Sequence, residues 1–156
     1  MIRWAKICLV GLIGVGMMAA CANASKAQDS CTVTEPLIPP SCVVLPAQQG
    51  ILSGEPTTEM SLDTAAVQAA LTACPAGQAV ELSTSGSNNA FVIGPITIPG
   101  GVTLLVDGGV TAFGSSNPAD YQVTTAGVET CGTVGTAGNG CKSLITMASA
   151  NSGIMG

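Results

Sequence analysis

The chain has 156 residues and a net charge of −5, with no histidine and only 8 % charged and 3 % aromatic residues. An acidic chain without basic stripes repels nucleic acid phosphates and anionic lipid headgroups, which argues against both as partners of the bare polypeptide. Without histidine or a Cys-x-x-Cys pair, no zinc site is indicated. No cofactor is predicted either.

The first 24 residues predict a signal peptide. Arg3 and Lys6 form a basic start, and the apolar run Ile7–Ala20 is too short and too rich in glycine to favour a membrane-spanning helix. Cleavage after Ala24 fits the small-x-small form of residues 22–24, whereas residues 18–21 resemble a lipoprotein box that would place a lipid on Cys21. We therefore expect a secreted or periplasmic protein, with a membrane-anchored lipoprotein as the alternative.

Residues 25–60 predict an extended lead-in, followed by one domain at residues 61–156. Prolines interrupt regular structure in the lead-in, and only Val43–Leu45 has the apolar side chains needed to pair or pack. These prolines are Pro36, Pro39, Pro40, Pro46 and Pro56.

A short helix is predicted to begin at Asp63, whose carboxylate would cap the first free amides. The apolar residues Val67, Ala70, Leu71 and Cys74 follow at i, i+3, i+4 and i+7 and form one stripe. The string 75–77 (Pro-Ala-Gly) ends the helix, because proline cannot continue the hydrogen-bond ladder and glycine readily takes the left-handed conformation. The stripe is small, so the helix should lie close against the open end of a sheet or solenoid.

From residue 79 onward, short β-prone runs alternate with glycine, proline and asparagine. The runs that predict strands are Ala79–Leu82, Phe91–Ile98, Val102–Val106, Val110–Phe113, Leu144–Met147 and Ile154. The low aromatic content argues against a sandwich and favours an all-β parallel β-helix, whose narrow interior is filled by aligned Val, Ile and Leu. No clean repeat period is visible in the sequence.

Five cysteines remain beyond the signal peptide: Cys31, Cys42, Cys74, Cys131 and Cys141. An oxidising compartment favours disulfides over a metal site. We predict a Cys131–Cys141 bridge that clips the glycine-rich loop 114–143, and a Cys42–Cys74 bridge that ties the lead-in to the helix. The odd number leaves one cysteine without a partner in the chain, and a Cys31–Cys42 bridge with Cys74 free is the alternative.

Five strings occur in a fixed order at residues 63–77, 91–99, 101–113, 117–121 and 151–156. Together they resemble the N-terminal part of bacterial polygalacturonases. The resemblance covers residues 34–156 and implies a right-handed parallel β-helix of the pectin-lyase-like class, with the helix at residues 63–74 covering its N-terminal end. It also implies hydrolysis of α-1,4-galacturonan, with pectic polysaccharide as the substrate and a monomeric full-length enzyme.

The family's catalytic motifs do not occur in this sequence. Polygalacturonases carry their aspartates in Asn-Thr-Asp and Asp-Asp motifs, helped by Gly-His-Gly and Arg-Ile-Lys motifs, and none of these strings is present. Inverting glycosidases need two carboxyl groups about 6.5–9.5 Å apart. Glu81, Asp107 and Asp120 lie instead in settings typical of solvated surface or turn carboxylates.

No catalytic residue is therefore assigned, and we expect a truncated N-terminal portion of such an enzyme that is inactive alone. Two alternatives remain open. One is a fragment of another β-helix polysaccharide enzyme, such as a pectate lyase or rhamnogalacturonase. The other is a non-enzymatic surface β-solenoid or lipoprotein.

Overall fold

The computed structural model describes residues 36–123, 130–132 and 140–156. The predicted signal peptide, with Cys21 and Ala24, and the fifth cysteine, Cys31, lie outside these residues. The elements in chain order are β1 (Ser41–Pro46), β2 (Ile51–Leu52), β3 (Glu55–Pro56), α1 (Thr64–Ala73), β4 (Ala79–Ser83), β5 (Ala90–Ile93), β6 (Ile96–Ile98), β7 (Thr103–Val106), β8 (Thr111–Gly114), a 3₁₀ helix (Pro118–Tyr121), β9 (Ile145–Met147) and β10 (Gly153–Met155). Within the described ranges, neither helix is long and apolar enough to cross a membrane.

The strands form three parallel stacks. Stack A has the order β1-β4-β7-β10, stack B pairs β5 with β8, and stack C pairs β6 with β9. The chain visits the stacks in the same order twice, first through β4, β5 and β6 and then through β7, β8 and β9, before β10 returns to stack A. The fold is therefore built from successive layers of short parallel strands.

Aligned aliphatic side chains fill the interior between the stacks. In stack A, the register places Val43, Val80, Leu104 and Ile154 in one row. Val80 and Leu104 are fully buried, whereas Ile154 at the end of the row is 43 % exposed. Exposure also increases along stack C, where Ile98 is buried and its register partner Met147 is 49 % exposed. The core is thus closed at the β1 side and uncovered at the β10 side.

Helix α1 confirms the predicted stripe but not the predicted cap. Val67 and Leu71 are completely buried and Cys74 nearly so, and they join the same core cluster as the strands. Asp63 occupies the N-cap position, yet its side chain makes no capping hydrogen bond. The carboxylate instead accepts a hydrogen bond from the Val92 amide in β5, at 2.9 Å. A partner distant in sequence has therefore replaced the local cap.

Side chains from the start of α1 take the place of a neighbouring strand for stacks B and C. The Thr64 hydroxyl accepts a hydrogen bond from the Gly94 amide at 2.7 Å. The Gln68 amide group pairs with both backbone groups of Thr97, accepting from its N–H at 2.7 Å and donating to its carbonyl at 3.0 Å. These bonds satisfy backbone groups that would otherwise be unpaired at the edges of β5 and β6. We call this helix-side end of the stacks the capped end.

The turn after α1 is fitted closely to the turn between the first and second layers. Gly77 ends the helix region with φ +84°, as the sequence predicts, and its amide donates to the Gly101 carbonyl at 2.8 Å. Gly101 has φ +79°, and a Cβ there would lie 2.8 Å from the Ala76 Cβ. Only glycine fits this position, because it tolerates both the positive φ and the close approach.

The lead-in is more structured than its prolines suggest. Val43–Leu45 does pair, as predicted, within β1 alongside β4. An antiparallel hairpin of β2 and β3 was not predicted, and its turn residues Ser53 and Gly54 both have positive φ. The run Phe91–Ile98, predicted as one strand, is divided into β5 and β6, because Gly94 and Pro95 turn the chain between stacks B and C.

Candidate functional site

Each of the three carboxylates considered from the sequence has its own hydrogen-bond partner. Glu81 in β4 accepts from the Ser41 hydroxyl of β1 at 2.5 Å. Asp107 follows β7 and accepts from the neighbouring Gly108 amide at 2.8 Å. Asp120 lies in the 3₁₀ helix and accepts from the Ser115 hydroxyl at 2.5 Å. These are the contacts of strand-pairing and turn residues.

A cavity of about 390 Å³ lies between residues 59–62 and the segment after β8. It is lined by Glu59, Met60, Leu62, Ser115, Asn117 and Asp120. Glu59 accepts a hydrogen bond from the Ser116 hydroxyl across this boundary. The two carboxylates of the cavity therefore accept from adjacent serines: the Ser116–Glu59 bond joins the segment after β8 to residues 59–62, and the Ser115–Asp120 bond lies within that segment.

The Ser115 hydroxyl also accepts from the Asn117 amide at 3.2 Å, so this buried side chain organises the turn that begins the 3₁₀ helix. Asn117 caps that helix by accepting from the Ala119 amide at 3.1 Å. The expectation of one irregular loop at residues 114–143 was therefore wrong for Gly114, which ends β8, and for Pro118–Tyr121.

Tyr121 links the 3₁₀ helix back to the end of stack B. Its hydroxyl donates to the Ser115 carbonyl at 2.9 Å. Burial raises the pKa of the Tyr121 hydroxyl above its usual value of 10.0, and the negative charge of Asp120 adds to the effect. The hydroxyl is thus a hydrogen-bond donor throughout the ordinary pH range.

The arrangement supplies hydrogen-bond acceptors but no recognisable acid–base pair. Among residues 36–123, 130–132 and 140–156, no group of three or more His, Cys, Asp or Glu side chains could hold a metal ion. Five of the described carboxylates, Glu59, Asp63, Glu81, Asp107 and Asp120, accept hydrogen bonds from hydroxyls or amides in strands, turns and the segment before α1.

Both predicted disulfides are formed. Cys42 and Cys74 join β1 to the C-cap of α1, with their Cα atoms 5.8 Å apart. Cys131 and Cys141 close the second bridge over a Cα distance of 4.8 Å. The Cys31–Cys42 alternative is wrong, because Cys42 is bonded to Cys74.

Sequence reasoning missed the polar residues that complete the capped end. Besides Thr64 and Gln68, the Gln49 carbonyl accepts from the Asn89 and Ala90 amides, each at 2.8 Å. A sequence signal did exist in α1, where Thr64, Gln68 and Thr72 recur every four residues in a helix without charges. This polar stripe beside the apolar one indicates a second face that contacts protein.

Proteins of similar sequence and structure are known. An endo-polygalacturonase of Pectobacterium carotovorum subsp. carotovorum is 41 % identical over 143 residues, which cover 91 % of this chain and 31 % of that protein. A polygalacturonase of Ralstonia nicotianae is 35 % identical over 167 residues, covering 99 % of this chain and 30 % of the relative. A solved structure of polygalacturonase from Erwinia carotovora ssp. carotovora matches with a TM-score of 0.64 and 38 % identity, over 81 % of this chain and 30 % of that one. No protein-family model matches the chain.

The described residues form layered parallel strands with one α-helix, and the polygalacturonase structure shares this fold over 81 % of the chain. The chain spans about one third of the length of the curated relatives it matches most extensively. Over most of its own length, it is a homologue of the bacterial polygalacturonases.

Proposed function

We propose that this chain forms the helix-capped part of a pectin-degrading glycoside hydrolase that cleaves α-1,4-galacturonan. The observation that carries the proposal is sequence identity with several polygalacturonases across nearly the whole chain, accompanied by a matching fold. The substrate class follows from the names of those relatives. A pectic polysaccharide is thus the proposed partner, and the proposed full-length state is a monomer.

The proposed architecture is a right-handed parallel β-helix. Its support is the repeated passage of the chain through stacks A, B and C, with every pair between layers parallel. Crossovers between parallel strands of one sheet are right-handed in nearly all proteins, which favours that hand here. The capping helix at residues 64–73 and the layers that follow then form one end of the solenoid.

In this proposal, the described residues provide scaffold and the catalytic carboxylates come from elsewhere in the enzyme. Inverting hydrolysis requires one carboxylic acid at the leaving oxygen and a second carboxylate on the attacking water. Asp107 and Asp120 are each occupied by turn-forming hydrogen bonds. The acidic surface would also repel galacturonate, so substrate binding is assigned to other parts of the enzyme.

The proposal includes export from the cell. The N-terminal sequence supports it through Arg3, Lys6 and the apolar run Ile7–Ala20. Two disulfides in a chain of this size also favour an oxidising compartment. Cleavage after Ala24 would release the protein, whereas a lipid on Cys21 would retain it at a membrane.

A chimeric enzyme tests the function. The region of the Pectobacterium carotovorum endo-polygalacturonase that aligns with this chain is replaced by the corresponding residues of this chain. We expect the chimera to release reducing ends from polygalacturonate without unsaturated products, and the 156-residue chain alone to remain at buffer background. Unsaturated products would instead identify a lyase.

Two results would contradict the proposal. Robust hydrolysis by the pure 156-residue chain would show that its own carboxylates are catalytic and direct attention to Asp107 and Asp120. A chimera that folds cooperatively yet hydrolyses no pectic polysaccharide would show that the likeness to polygalacturonases does not extend to compatible function.

A further inference from the structure

We draw no further inference here: the strongest candidate, the cavity of about 390 Å³ between residues 59–62 and the segment after β8, is a pair of carboxylates that already accept hydrogen bonds from Ser115 and Ser116, and nothing in the described part of the chain points to a ligand for it.

Discussion

Asp63 and Val92 exchange two hydrogen bonds, as residues of adjacent strands do. The Asp63 amide donates to the Val92 carbonyl at 2.7 Å, and the Asp63 carboxylate accepts from the Val92 amide at 2.9 Å. Asp63 precedes a helix, so its side chain supplies the acceptor that a strand would provide through its backbone. The edge of β5 is thereby satisfied without a further strand.

Replacing Asp63 should expose the dependence of stack B on this contact. Asp63→Ala leaves the Val92 amide without its acceptor, and we expect the free energy of unfolding to fall by about 1–3 kcal/mol. Asp63→Asn keeps a side-chain carbonyl and should lose less. Urea unfolding measures the stability, with Glu55→Ala on the exposed part of β3 as control. Equal stability of Asp63→Ala and wild type would mean that water serves the amide as well.

Gln68 should be the corresponding residue for stack C. Gln68→Ala removes both hydrogen bonds to Thr97, whereas Gln68→Glu keeps the acceptor and loses the donor. Net values near 1 kcal/mol per hydrogen bond predict a loss of about 1–2 kcal/mol for alanine and about half of that for glutamate. Amide hydrogen exchange should accelerate at Thr97 in the alanine variant. Unchanged exchange there would contradict the role of Gln68 as an edge partner.

The apolar face of α1 should contribute more than the polar face. Leu71 is completely buried, so Leu71→Ala should cost about 2–5 kcal/mol through lost burial and an unfilled cavity. Leu52 in the hairpin is 70 % exposed, and Leu52→Ala should change the stability by less than about 0.5 kcal/mol. Chemical denaturation of both variants measures the contrast. Similar losses in the two variants would mean that α1 is not anchored through its buried stripe.

The two disulfides should differ in their effect on stability. The chain-entropy treatment predicts a loss of about 3–4 kcal/mol for Cys42→Ala with Cys74→Ala, whose bridge spans 32 residues. Cys131→Ala with Cys141→Ala should cost about 2–3 kcal/mol, since that bridge spans 10 residues. Thermal unfolding without reductant compares the pairs. A larger effect of the Cys131–Cys141 bridge would contradict the proposed anchoring of β1 to α1.

Tyr121 should make stability depend on pH in the alkaline range. Its pKa is raised in the folded protein, so the unfolded chain loses the tyrosine proton first as the pH rises. The contribution is therefore complete below about pH 10 and declines above it. The stability difference between wild type and Tyr121→Phe should shrink as the pH rises through this range. Unfolding free energies measured from neutral to alkaline pH test it, and a constant difference would contradict the expected linkage.

The sequence predicted where the strands lie better than it predicted which strands pair with one another. Val102–Val106 and Ala79–Leu82 show local alternation and β-branched residues, and both positions contain strands. Local patterns do not carry the register between layers, because no repeat period relates the strands. The hairpin at Leu52 to Glu55 was missed although its Ser-Gly pair is a turn signal, since two-residue strands are too short to show alternation.

The capped end shows where local rules fail for a physical reason. A carboxylate before a helix predicts an N-cap, but the Val92 amide lies 29 residues away and competes successfully for Asp63. Likewise, the local sequence of α1 does not indicate which strand backbone the Gln68 side chain will contact. Such partners depend on the packed positions of α1, β5 and β6, which the sequence determines only through the complete fold. The disulfide between Cys42 and Cys74 was predicted, but the sequence left a Cys31–Cys42 bridge as the alternative, and the positions of β1 and α1 decide between the two.

The placement of α1 and β1 ahead of all the layers has a consequence for the order of synthesis. When β4 leaves the ribosome, its partner β1 has already emerged, and α1 likewise precedes β5 and β6. β7, β8, β9 and β10 then pair with β4, β5, β6 and β7, each of which came earlier. Every strand of the three stacks after β1 therefore meets a preformed neighbour, so vectorial emergence of the chain and growth of the stacks proceed in the same direction.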